Sequence, residues 1–406
     1  MKIASLNSII MILTALACTS CSMLTDKTTE SYTFRELSLP VEARSQQHHL
    51  AQTADGKLIV SWVEIDGQVR TVRFAVYDQG VWSSVRTVTR IKGRLGDPPV
   101  VLGLSDGSLA AAWMPYVSGA KSKYAADIYL AISKDGGSTW STPFKPYGES
   151  ARIYDAQMSL TALPDARLAV VWTDMRYASE DEEHKSQNRF QLMAAIIDNN
   201  GRVGAEMTLD DDVCSCCRAY TDAEGEDLIT TYRDHTADEI RDIAAVRWRP
   251  DGPRHSEIVH HDQWHIEGCP SNGPSVDSLG RKKAVAWFSA ADGNGRVKAA
   301  FLQGNDQSFA QPIEIDTGAS GYVNVSLLND NEALVAWRGR TGPEDELRVA
   351  KISAGGAVSK QTVVYRGNFP KWPSKYLGLV KVDNEAFVAW TDPHLKRVRL
   401  AAVLLD

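Results

Sequence analysis

Seven times along this chain a polar turn leads into an apolar-alternating stretch that ends on an aromatic residue. The aromatics are Trp62, Trp113, Trp172, Tyr232, Trp287, Trp337 and Trp390. The approaches are alike: Asp55-Gly56 comes before Leu58 to Trp62, Asp106-Gly107 before Leu109 to Trp113, and Asp383-Asn384 before Ala386 to Trp390. Asp, Asn and Gly tolerate the positive φ that a tight hairpin needs, so each approach predicts a turn feeding a strand. Beyond the aromatic comes a polar loop, then a third strand such as Thr71 to Tyr77, a second turn and a fourth strand. The spacing of roughly 50–60 residues is that of a four-stranded blade. A single blade cannot bury both of its faces, so seven in succession predict one all-β, seven-bladed β-propeller over residues 32–406, with a six-bladed ring as the alternative.

A ring of blades has to close. The last unit, Tyr376 to Leu405, supplies three strands, whereas Tyr32 to Leu39 is a strand-like segment with no unit of its own. It resembles fourth strands such as Gln311 to Ile315 and is expected to complete the seventh blade, covering two edges that would otherwise stay open.

The start of the chain reads as an address. Lys2 precedes a short apolar run from Ile9 that ends at Ala15-Leu16-Ala17-Cys18. The run is too short to cross a bilayer and has the form of a secretory signal. A cysteine after small apolar residues resembles the lipobox of bacterial lipoproteins. That resemblance implies a signal peptide over residues 1–17, lipidation at Cys18, and a flexible tether over 18–31. Cys21 is the alternative acceptor, and a cleaved, unlipidated signal the alternative process. The expected location is outside the cytoplasm, anchored to the bacterial outer membrane by lipid alone, in an oxidising compartment. Lys and Arg total 44 against 51 Asp and Glu, a net charge of −7, which argues against a nucleic-acid partner.

Ser133-Lys134-Asp135-Gly136-Gly137-Ser138-Thr139-Trp140 resembles the Asp-box of sialidases and other bacterial-neuraminidase-repeat proteins. Its pattern residues, Ser133, Asp135, Gly137, Thr139 and Trp140, have a structural role: hydroxyls and carboxylate satisfy turn amides while the indole packs between strands. If first strands line the axis, the Asp-Gly turns and Asp-boxes share one rim. The loops after the aromatics and the links between blades then share the other, the rim where propellers vary.

That second rim carries Arg152, Arg176, Arg218, Arg233, Arg241 and Arg338, interleaved with carboxylates. Guanidinium groups suit bidentate capture of an anion, or they pair with the carboxylates between blades. The sialidase resemblance implies an arginine cluster for a substrate carboxylate, an acidic proton donor and a Tyr/Glu nucleophile pair. The residue types exist: Asp155 or Asp174 as acid, Tyr154 or Tyr322 with Glu64 or Glu267 as the nucleophile pair, and Asp234 as a further candidate. The chain lacks an Arg-Ile-Pro signature, and sialidases are six-bladed. The expectation is recognition of a small anionic or glycan ligand, such as a terminal acidic sugar, with exo-sialidase-type hydrolysis as its enzymatic form. A non-enzymatic envelope scaffold is another reading.

Cys214, Cys216, Cys217 and Cys269 carry the remaining chemistry. Three fall in Cys214-Ser215-Cys216-Cys217-Arg218 and the fourth in Gly268-Cys269-Pro270, at equivalent places in successive units. This pair of motifs resembles a subgroup of sialidase-like envelope lipoproteins of unknown function. Three readings stand open: disulfides between the blades, a Cu(I) or Zn(II) site that could recruit His265, and redox chemistry at a reducible bridge. Strand alternation would set Cys214 and Cys216 on one face and Cys217 on the other. The acidic run Glu180 to Glu183 reads as a solvated loop.

Overall fold

Runs such as Leu58-Ile59-Val60 and Leu334-Val335-Ala336 are apolar on both faces, which suits strands sandwiched between neighbouring sheets. The computed structural model describes residues 32–41, 44–120, 123–176, 189–303, 308–369 and 375–405, without the side chains of 154–156. The signal, Cys18, the tether and the acidic run at 180–183 lie outside the described residues.

The strands form seven antiparallel sheets, each led by a first strand: Ser45–Gln52, Val100–Gly103, Ile153–Ala162, Tyr220–Glu224, Ser275–Leu279, Gly321–Asn329 and Gly378–Val382. All seven repeat aromatics lie in a second strand and are buried. The ring has seven blades, not six. Closure follows the expected route. Phe34–Leu37 pairs antiparallel with Arg397–Leu404, opposing Phe34 to Val403 and Leu37 to Leu400.

The core is distributed around the ring. Seven apolar clusters each bridge two successive blades, and the cluster holding Trp62, Tyr77, Phe387 and Leu400 joins the first blade to the seventh. Every first strand contributes to the wall of a central channel of about 730 Å³ that spans from Thr53 and Lys381 to His48 and Arg218.

In the Asp-box, Asp135 accepts from Thr139 through both carboxylate oxygens, at 2.9 and 2.6 Å, and from Ser133 at 2.8 Å. Gly137 donates its amide to Ser133 Oγ, and Trp140 reaches the Thr87 carbonyl of the previous blade at 3.2 Å. A Cβ on Gly137 would lie 2.4 Å from the Phe74 ring.

Candidate functional site

A device recurs on the rim opposite the Asp-box. The buried aromatic of the second strand aims its N–H at a carboxylate, which also holds a basic side chain. Trp62 Nε1 meets Glu64, bound to Arg73 at 2.9 Å; Trp287 meets Asp262, bound to Lys298; Trp337 meets Asp316, bound to Arg348 at 2.9 Å. Asp174, a candidate proton donor, is the third blade's version. It is buried, accepts from Trp172 Nε1 at 3.2 Å and pairs with Arg176 at 2.6 Å. Arg176 is shared with Glu206 at 2.5 Å. The groups at Glu64 and Asp174 lie within one blade, those at Asp262 and Asp316 tie successive blades, and all leave little to offer a ligand.

The other rim arginines are committed too. Arg233, almost fully buried, donates to the carbonyls of Asn272, Phe288 and Arg241 at 2.5–3.0 Å and lies over the Trp264 ring. Arg218 is buried on the axis, 3.3 Å from Asp97 and stacked against Tyr220 and Tyr376. Arg338 pairs with Asp345 at 2.5 Å and lies over Tyr322 and Phe369. Arg241 binds Glu239 at 2.6 Å and the Ile266 carbonyl. Arg152 is exposed, and its amide donates to Asp174. For the five arginines other than Arg152 the expected anion-binding face is therefore corrected: charges buried this deeply need partners, and the fold supplies carboxylates and carbonyls. Burial, then the charge of Asp210, pushes Asp234 up to about 6. Tyr154 and Asp155 belong to the strand Ile153–Ala162, and their side chains lie outside the described residues.

The cysteines stand apart. Residues 214–217 form a turn before the first strand of blade four, which begins only at Tyr220. The expected strand alternation is thereby overturned, because a turn gathers side chains that a strand would separate. Cys214 Sγ lies 3.2 Å from Cys217 Sγ and 3.7 Å from Cys216 Sγ, and all three residues are buried. Cys216 is bonded to Cys269 with 6.0 Å between their Cα atoms, while Cys214 and Cys217 are free thiols. No second bridge forms inside the motif. Cys269 is exposed, 3.1 Å from Ser271 Oγ. His265 is also exposed and is not among the residues that bring ligand atoms within 4.8 Å of one another, so its recruitment is corrected as well.

The environment separates the two free thiols. Hydrogen bonding with Cys217, helped by the charges of Arg233 and Arg241 against the cost of burial, holds Cys214 below the usual thiol range. Burial and the neighbouring Cys214 push Cys217 up.

The segment from Gly268 to Pro274 straps this centre in place, through residues whose role was not read beforehand. The Asn272 side chain accepts from the Tyr322 amide at 2.8 Å, and its carbonyl holds Arg233. A Cβ on Gly273 would fall 1.9 Å from the Arg218 carbonyl, so only glycine allows the strap to lie against the cysteine turn. The glycine and prolines around Cys269 were the available signal. Three more unforeseen groups line the channel: His48 and His49, each held down to about 3 chiefly by burial, and Asp277, pushed up to about 7 by burial and the neighbouring Asp222.

No protein-family model matches the chain. No curated protein matches it either. Solved structures do. A polysaccharide lyase of the PL25 ulvan lyase family is 11% identical, with a TM-score of 0.53 over 91% of this chain and 96% of that one. An oligogalacturonate lyase, solved in complex with manganese, is 12% identical at a TM-score of 0.53, covering 92% and 96%. A NanB sialidase from Streptococcus pneumoniae is 9% identical at 0.46, covering 91% and 94%. At these identities the likeness concerns architecture: the chain shares its fold with the two lyases, a β-propeller that here has seven blades.

Proposed function

We propose that this propeller is a thiol–disulfide exchange protein whose working site is the four-cysteine centre between blades four and five. One observation carries the reading. A free thiol, Cys214, sits 3.7 Å from the buried sulfur of a bridge whose other sulfur, on Cys269, belongs to an exposed residue. An acidic sugar at the rim has no comparable support, because five of the six guanidiniums meant for it are already bound to protein groups.

The chemistry balances with a partner dithiol as reductant. A partner thiolate attacks Cys269 Sγ, the Cys216–Cys269 bond breaks, and Cys216 leaves as a thiolate. The second partner thiol then attacks its own bridged sulfur and releases Cys269, so two electrons pass to this chain and the partner becomes a disulfide. Within the chain the bridge can also move. Cys214 attacks Cys216 and expels Cys269, then Cys217 attacks Cys214 and expels Cys216, leaving a Cys214–Cys217 bridge. Arg233 and Arg241 stabilise the thiolate charge at Cys214 during these steps. An oxidising setting outside the cytoplasm, reached through the signal and held by lipid on Cys18, is part of the same proposal.

Equilibration with dithiothreitol redox buffers, followed by alkylation and peptide mapping, tests it. The expected result is reversible reduction of the folded protein at a potential above about −270 mV. A bridge that resists reduction until the propeller unfolds would make it a structural staple and overturn the reading.

A further inference from the structure

We propose that Cys214, Cys216 and Cys217 form a three-sulfur site for one soft monovalent metal ion, Cu(I), that becomes available when the Cys216–Cys269 bridge is open. The exchange reading supplies the way the bridge opens; the site itself rests on independent geometry. The three sulfurs lie within 4.8 Å of one another, the two pairs that include Cys214 at 3.2 and 3.7 Å. Metal–sulfur bonds of about 2.3 Å put sulfurs about 4 Å apart around a single ion, so small side-chain rotations would seat one.

The donor set selects the metal. It contains sulfur alone, in residues buried to within a few per cent of complete exclusion. Hard ions such as Mg²⁺ and Ca²⁺ need oxygen, and structural Zn²⁺ takes four ligands. Among the described residues no fourth ligand joins the group, which includes neither Cys269 nor His265. Three thiolates in a dry pocket match Cu(I). Three thiolates around one Cu(I) carry a net charge of −2, and the charges that act on Cys214 are those of Arg233 and Arg241, the latter also paired with Glu239 at 2.6 Å. A cationic surrounding that would repel a bare ion stabilises an anionic thiolate complex.

The bridge then acts as a gate. While Cys216 is bonded to Cys269, two thiols remain. Two electrons from a partner dithiol free the third sulfur, and reoxidation takes it away. Loading thus belongs to the reduced protein and release to the oxidised one.

Anaerobic titration with Cu(I), in competition with the chromophoric chelator bicinchoninate, tests the site. Reduced wild type is expected to withdraw one equivalent. The oxidised protein, Cys214→Ser and Cys217→Ser should each bind more weakly by on the order of a hundredfold. Cys269→Ser leaves Cys216 unbridged and should bind one equivalent with no reductant, showing three sulfur neighbours by X-ray absorption. Equal affinity in the oxidised and reduced proteins, or wild-type affinity in Cys214→Ser, would overturn the proposal. So would failure of a Cys269→Ser variant that melts like wild type. That variant needs no exchange step, so an irreducible wild-type bridge would sink the exchange reading alone, and a silent Cys269→Ser the metal site alone.

Discussion

The rims of blades three and four use the same residue types to opposite ends. In blade three, Trp172, Asp174, Arg176 and Glu206 close on one another, and each charge finds an opposite charge within 2.6 Å. In blade four the aromatic position is Tyr232, whose hydroxyl binds Asp210 at 2.5 Å. Its arginines turn instead to carbonyls of the next blade and to a turn that holds two free thiols beside a bridge. A paired charge is spent on architecture. A reactive group held among charges that are satisfied elsewhere keeps its chemistry. Function on a repeat fold is therefore to be sought where a blade breaks the repeat's own pairing.

Substitutions can break or sharpen this contrast. Arg233→Met should have the largest effect, because it orphans three buried carbonyls and loosens the strap together. A loss of about 3 kcal/mol in denaturant unfolding is expected, along with a more readily reduced bridge. Asp174→Asn should cost about 2 kcal/mol by leaving Arg176 with Glu206 alone, and should leave thiol exchange unchanged. A change in exchange rate there would erase the distinction between the two rims.

The channel provides a control away from both rims. Asp277 accepts from the Leu327 amide at 2.6 Å, and its folded value of about 7 lies above its unfolded one. Folding therefore favours the protonated form: stability is full below about pH 4 and erodes as pH rises through about 7. Asp277→Asn should gain on the order of 1 kcal/mol at pH 8 and nothing at pH 4, read from melts at the two pH values. The smallest effect belongs to Arg241→Met. Its stability should stay near wild type while stopped-flow exchange with a small disulfide slows about fivefold at pH 7, through loss of thiolate stabilisation.

Much of the architecture could be read from the chain before its structure. Hairpin chemistry at Asp55-Gly56 and Asp106-Gly107, with a buried aromatic a few residues on, is local, and repetition multiplies a weak signal into a firm one. The closing strand was legible by subtraction, since one unit lacked a fourth strand and one strand lacked a unit. The rim was harder. Whether Arg176 faces a ligand or Asp174 depends on side-chain directions that spacing does not encode. The cysteine turn misled for a related reason: alternation applies to strands, and Asp211-Asp212 with Ser215 marked a turn instead. Nothing in the spacing singles out Gly273, yet its lack of a Cβ lets the segment that carries Cys269 lie against the cysteine turn.

Internal movement of the bridge is the step that the 3.7 Å approach of Cys214 to Cys216 bears on most directly, and Cys217→Ser isolates it by removing the thiol that would complete the transfer. Non-reducing peptide mapping of this variant, after alkylation of the folded protein, should find a population with Cys214 bonded to Cys216 and Cys269 alkylated. Finding Cys216 bonded to Cys269 in every molecule, with Cys214 always free, would show that 3.7 Å of proximity produces no exchange.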